Sequence, residues 1–222
     1  MKKFIIFVLL VFFITPTGCK KDRNIPTPVP PNPKIVYLTF DDGPSPVTPH
    51  ILEILAKNDI LATFFVVGTN VERYPEILKQ TILSGHSIGI HSYSHKYKEI
   101  YQSKETLVKD INLCLQAIKK VQSDFTTNLY RFPGGSFNLR KELKDQVNSL
   151  GYNYYDWNAS SQDAELKNYD YQDLINACIT TSYNRDKIIL LSHDSSTKTR
   201  TAQALQGIID YFKSQNYIFK PL

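Results

Sequence analysis

From residue 35 onward the chain repeats one pattern: a short β-branched and aromatic run, an amphipathic helical stretch, then another apolar run. Residues 35–40, 61–67, 87–90, 128–132, 152–156, 187–192 and 217–219 read as strands. Residues 48–58, 71–83, 103–121, 140–150, 171–181 and 201–214 read as helices. Pro49 suits a first helical turn, and Gly85 and Gly151 suit helix ends. Leu107, Ile111, Leu115 and Ile118 mark the apolar face of the longest helix. Parallel strands need long crossovers, so this alternation predicts a parallel sheet. Roughly seven or eight units in about 190 residues predict an α/β fold, a distorted (β/α) barrel with about seven parallel strands. An open doubly wound sheet is the alternative. No Gly-rich loop follows the first strand, so a dinucleotide site has no support.

The segment before residue 34 has a different character. Lys2 and Lys3 precede an unbroken apolar run from Phe4 to Ile14, too short to span a bilayer comfortably but suited to a signal segment. Thr17, Gly18 and Cys19 follow, in the manner of a bacterial lipoprotein cleavage site, although Pro16 stands where Leu is usual. The expected division is a signal segment at 1–18, a lipidated Cys19 with a tether at 19–33, and a catalytic domain at 34–222. Pro26, Pro28, Pro30, Pro31 and Pro33 make that tether extended and semi-rigid. The expected address is the cell envelope, lipid-anchored to the membrane, with ordinary secretion as the alternative. Export would permit a disulfide between Cys114 and Cys178, yet both fall on apolar helical faces and suit buried free thiols equally. A formal charge of +5 without a basic stripe argues against nucleic acid. A monomer is expected.

Polar clusters punctuate the strand ends. Thr39-Phe40-Asp41-Asp42-Gly43-Pro44 closes the first strand, and His91-Ser92-Tyr93-Ser94-His95 follows the third. One carboxylate and two imidazoles are a facial metal-ligand set with open positions, and the second carboxylate is then free for proton transfer. Taken alone, Asp-Gly-Pro is also an ordinary turn. Arg131-Phe132-Pro133-Gly134-Gly135 ends another strand; its guanidinium could clamp Asp41, or simply precede a loop. Asp156-Trp157 and Leu191-Ser192-His193 end two more. Trp157 suits a core or a pocket wall. A His at such an end, near a carboxylate such as Asp156, would be an oriented acid. All five clusters fall at predicted C-terminal strand ends, where β/α barrels build active sites.

In order and residue type these clusters resemble the five motifs of the polysaccharide deacetylases, carbohydrate esterase family four, over about residues 35–222. The resemblance implies Asp41 as general base, with Asp42, His91 and His95 holding one divalent metal, zinc first and cobalt, nickel or manganese as substitutes. It implies that Arg131 orients Asp41, that Asp156 tunes His193 as general acid, and that Trp157 and Leu191 line an acetyl pocket beside Pro133 and Gly134. Many members carry Tyr where this chain has Gly134, so an aromatic groove wall is missing there. The implied activity is hydrolysis of acetyl groups from an N-acetylated glycan such as peptidoglycan or a chitin-like oligomer. An ester hydrolase on O-acetyl xylan, a two-carboxylate glycosidase and a silent glycan-binding module are the alternatives.

Overall fold

The computed structural model describes residues 33–222; the expected signal segment, Cys19 and proline-rich tether lie outside the described residues. The elements in chain order are β1 (Ile35–Asp41), α1 (Thr48–Lys57), β2 (Thr63–Val67), α2 (Gly68–Arg73), α3 (Pro75–Leu83), β3 (Ser87–Ser92), α4 (Tyr97–Ile100) and α5 (Lys104–Val121). They continue as β4 (Leu129–Tyr130), α6 (Lys141–Ser149), β5 (Asn153–Tyr154), β6 (Ala159–Ser160), α7 (Tyr171–Ser182), β7 (Lys187–His193), α8 (Thr199–Ser214) and β8 (Ile218–Phe219). Where one helix is expected at 71–83 there are two. Pro75 supplies no N–H and pushes Tyr74 out of the helical region, to φ −130 and ψ 54.

The strands pair in parallel in the order β5-β4-β3-β2-β1-β7-β6, and β8 joins β1 at Ile35 and Val36, below the start of β2. The edge strands β5 and β6 are consecutive in the chain. Tyr155–Asn158 must bridge them, and five Cα steps reach at most about 18 Å. A seven-strand path whose two edges lie that close has curled into a distorted barrel, as the alternation of strands and helices predicts. Both faces of β2 are buried, which is why Thr63-Phe-Phe-Val-Val reads as a continuous apolar run and not an alternating one.

Helix α5 shows how local chemistry fixes an element that the site depends on. Ser103 and Thr106 form a capping box at its start, and Lys119 and Lys120 sit in its last turn, where the helix dipole favours cations. Leu107, Ile111, Cys114 and Ile118 are buried along one face. Asp110 is buried on that face too. Cys114 and Cys178 are free thiols in the core, and no disulfide joins them. Among the described residues no helix is long and apolar enough to cross a membrane.

Candidate active site

Because the strands are parallel, their C-terminal ends gather on one edge of the barrel. Asp41 ends β1 and lies directly beside His193, the last residue of β7. His91 lies within β3, which runs two residues further than its sequence suggests, while His95 follows in a turn with a left-handed φ of 56. Asp42 takes φ 75. That departure from an extended strand lets two consecutive carboxylates serve one pocket, where strand alternation would send them to opposite faces. The turn is closely packed: a Cβ on Gly43 would stand 2.2 Å from the Asp194 carboxylate. Asp194 in turn accepts from Thr48 Oγ1 at 2.6 Å, and its N–H donates to the Asp41 carbonyl at 3.0 Å.

The ligand atoms of Asp42, His91 and His95 all lie within 4.8 Å of one another. Asp42 Oδ1 is 3.1 Å from His95 Nε2 and 3.5 Å from His91 Nε2. His91 Nδ1–H donates to the Arg131 carbonyl at 2.8 Å, which fixes the tautomer and leaves the Nε2 lone pair facing the triad. Burial lowers the His91 pKa to about 3, so the ring is neutral and ready to ligate. Asp42 Oδ1 is buried with no hydrogen-bond partner among the described residues. A buried carboxylate oxygen without a donor, facing two imidazole nitrogens, suits a divalent cation.

Arg131 is fully buried. It donates from Nη1 to Asp41 Oδ1 at 2.9 Å and to Thr39 Oγ1 at 2.7 Å, and from Nε to the Tyr155 carbonyl at 2.8 Å. Its guanidinium lies over the Phe65 ring, 4.3 Å from the centroid. This clamp occupies one oxygen of Asp41 and leaves Oδ2 turned toward His91 Nε2, 3.9 Å away. Burial raises the Asp41 carboxyl above its usual 3.8 and outweighs the pull of Arg131 and His193; a cation held by the neighbouring triad would lower it again.

His193 corrects the expected pairing. Its Nδ1 meets Asp163 Oδ1 at 2.7 Å, and its backbone N–H donates to Asp163 Oδ2 at 2.9 Å. Thr201 Oγ1 adds a third bond to that carboxylate at 2.7 Å. Burial pushes the imidazole down, but the hydrogen bond and charge of Asp163, with Asp41 and Asp42 behind them, bring it up to about 9. Asp156, the expected partner, is engaged elsewhere: both of its oxygens accept from Ser136, from the backbone N–H at 2.8 Å and from Oγ. The physical reason is topological. Asp156 sits in the Tyr155–Asn158 bridge between the edge strands, whereas Asp163 follows β6, which pairs with β7.

The remaining expected residues lie at or just beyond the ends of β4, β5 and β7. Trp157 is half-buried, with its ring 5.8 Å from the Arg131 guanidinium. Pro133 is buried and its carbonyl accepts from Tyr101 Oη at 2.8 Å, while Gly134 is exposed. Leu191 shares the face of β7 that carries His193.

Asp110 has no counterpart among the expected site residues, although its helical register with Leu107, Ile111 and Cys114 already places a carboxylate on a buried face. Its Oδ2 accepts from Ser92 Oγ and Tyr93 N–H, both at 2.8 Å. Its Oδ1 accepts from Ser94 Oγ at 3.0 Å and Ser94 N–H at 3.2 Å. Ser92 Oγ also takes the His95 N–H at 2.8 Å. One carboxylate therefore shapes the turn joining both histidines. Asp110→Ala should weaken zinc binding by about 10–100-fold, the usual loss when a group supporting a ligand is removed. Competition against a chromophoric chelator measures this, and unchanged affinity would remove Asp110 from that role.

The family model described as polysaccharide deacetylase matches residues 29–155. The chain is 33% identical to a peptidoglycan-N-acetylglucosamine deacetylase of Bacillus cereus, covering 86% of this chain and 87% of that protein. It is 31% identical to the putative polysaccharide deacetylase YheN of Bacillus subtilis, covering 84% of this chain and 66% of that one. A CE4 esterase structure from Streptococcus mutans superposes with a TM-score of 0.80 at 33% identity, covering 86% and 87% of the two chains.

Proposed function

The chain belongs to the polysaccharide deacetylase family, and from that premise we propose that it removes acetyl groups from an N-acetylated glycan in a reaction requiring one divalent metal. Peptidoglycan N-acetylglucosamine is the preferred substrate, in keeping with the export signals read before residue 34 and with the Bacillus cereus relative. The observation that carries the reading is a pair of oppositely prepared groups on adjacent strands. Asp41 is clamped by Arg131 and His193 is backed by Asp163, and both stand beside the Asp42–His91–His95 triad.

Asp42, His91 and His95 would hold the cation, with zinc first and cobalt, nickel or manganese as substitutes. When bound, it would polarise the acetyl carbonyl and make water acidic enough to attack at neutral pH. Asp41 Oδ2, the oxygen that Arg131 leaves free, takes the proton of the attacking water. The Gly134 N–H donates to the oxyanion of the tetrahedral adduct. His193 has Nδ1 committed to Asp163, so Nε2 delivers the proton to the departing amine. The carbon–nitrogen bond breaks, acetate leaves, and the sugar keeps a free amine. Trp157 and Leu191 enclose the acetyl methyl.

Acetate release from a panel of polymers tests the substrate class. Peptidoglycan and chitin oligomers should yield acetate with matching free amine. Release from O-acetyl xylan alone would replace the amide reading with an ester one.

A further inference from the structure

Between β6 and α7 the chain runs from residue 161 to residue 170 without regular structure, and Asp163, the partner of His193, stands in that stretch. A two-residue strand on one side gives it little support. The backbone there is strained as well: Gln162 takes a left-handed φ of 56 and Asn168 one of 53. Asn tolerates that region, but Gln occupies it only where its surroundings hold it there. Every acceptor atom of Asp163 is engaged. The carboxylate takes the His193 ring, the His193 N–H and Thr201 Oγ1. The carbonyl takes two more donors, Lys198 Nζ at 2.6 Å and Tyr169 Oη at 3.0 Å.

Two donors fill both lone pairs of a carbonyl, and an ammonium makes the stronger kind of bond. Neither donor is a loose surface group. Lys198 and Tyr169 are both half-buried, Tyr169 packs against the core, and the Arg200 guanidinium lies over its ring, 5.3 Å from the centroid. Lys198, Arg200 and Thr201 all stand at the start of α8, and His193 ends β7. The turn from β7 into α8 therefore grips the Asp163 segment by its side chain, its carbonyl and its nearby aromatic ring. Lys198 spends a full positive charge on a backbone carbonyl. That placement suits alignment and not charge, since a cation behind Asp163 would by itself weaken the hold of the imidazole on its proton.

We propose that Lys198 and Tyr169 are positioning residues for the proton donor: they fix the Asp163 carbonyl so that the carboxylate stays on His193 Nδ1 through the reaction. This rests on reading His193 as the group that protonates the departing amine. The charged groups that face His193 are Asp163, Asp41 and Asp42 at the end of β1, and Asp194 beside it in the chain, with Arg131 bonded to Asp41. Substitutions at positions 198 and 169 leave all of these in the chain.

The test follows the His193 imidazole by NMR in the zinc-loaded full chain, its resonance identified by its loss in His193→Gln. Lys198→Met and Tyr169→Phe keep the aliphatic stem and the ring while removing each donor. Together they should lower the His193 pKa by about one unit from about 9, and each alone by part of that. Loss of charge alone would move Lys198→Met the other way. The alkaline limb of the acetate-release profile should shift by the same amount, about tenfold in kcat above it, with KM and zinc affinity unchanged. Lys198→Arg, which retains a cationic donor, should stay near the wild type. A His193 pKa unmoved in the double variant, or raised in Lys198→Met, would overturn the proposal, and the single variants decide if the double one does not fold. If the pKa falls as stated but the wild type releases no acetate, the catalytic reading fails and the positioning role stands.

Discussion

Asp41→Asn should retain the fold and the Asp42–His91–His95 triad and lose about 10²–10⁴-fold in kcat, the usual contribution of a positioned base. The substitution is nearly isosteric. Asn keeps an oxygen that can accept the Arg131 Nη1 bond now made at 2.9 Å, so the buried guanidinium is not stranded. What disappears is the ability of Oδ2 to take a proton. Some stability should go as well, since a fully buried cation loses its counter-charge. Thermal unfolding and metal content serve as controls. Near-normal turnover in a folded, metal-loaded Asp41→Asn protein would overturn its assignment as base.

Asp163→Asn should act on the other limb of the pH profile. As the proposed base Asp41 must be ionised, so the rate rises with pH through its pKa, which burial raises and which Arg131, His193 and a bound cation lower. His193 must be protonated, so the rate falls as pH rises through its pKa of about 9. A bell-shaped profile results. Removing the Asp163 charge leaves burial as the dominant influence and drives the imidazole down toward its ordinary 6.5. At pH 8.5 the protonated fraction would fall roughly 10²-fold, and activity with it, while the acidic limb stays in place. Asp156→Asn should leave the alkaline limb where it is, because Asp156 is bonded to Ser136 and not to His193. An alkaline limb that moves in Asp156→Asn but not in Asp163→Asn would reverse this pairing.

The contrast between those carboxylates shows what the sequence makes legible. Asp41, His91, Arg131 and His193 each follow or end an apolar run, so a strand pattern and a knowledge of where barrels carry their sites bring them together. Asp163 escapes because its strand, β6, has two residues, Ala159 and Ser160, set among Asn, Ser and Gln. No periodicity survives at that length. Asp156 ends the more visible aromatic run and so attracts the assignment. The left-handed φ of Asp42 is equally invisible in a residue string, yet it decides whether two adjacent carboxylates can work together. The closeness of Tyr97 to Gly134 belongs to the same class: the two residues are far apart in sequence and meet only because α4 follows the turn that carries His95.

The account stands most directly on the link between the triad and acetate release. Protein stripped of metal and verified as metal-free should release no acetate from an N-acetylated glycan, and one equivalent of zinc should restore release, with one amine formed for each acetate. His91→Ala should not be restored at that zinc level. Full acetate release by verified metal-free protein would contradict the central claim that Asp42, His91 and His95 serve the reaction as a metal site.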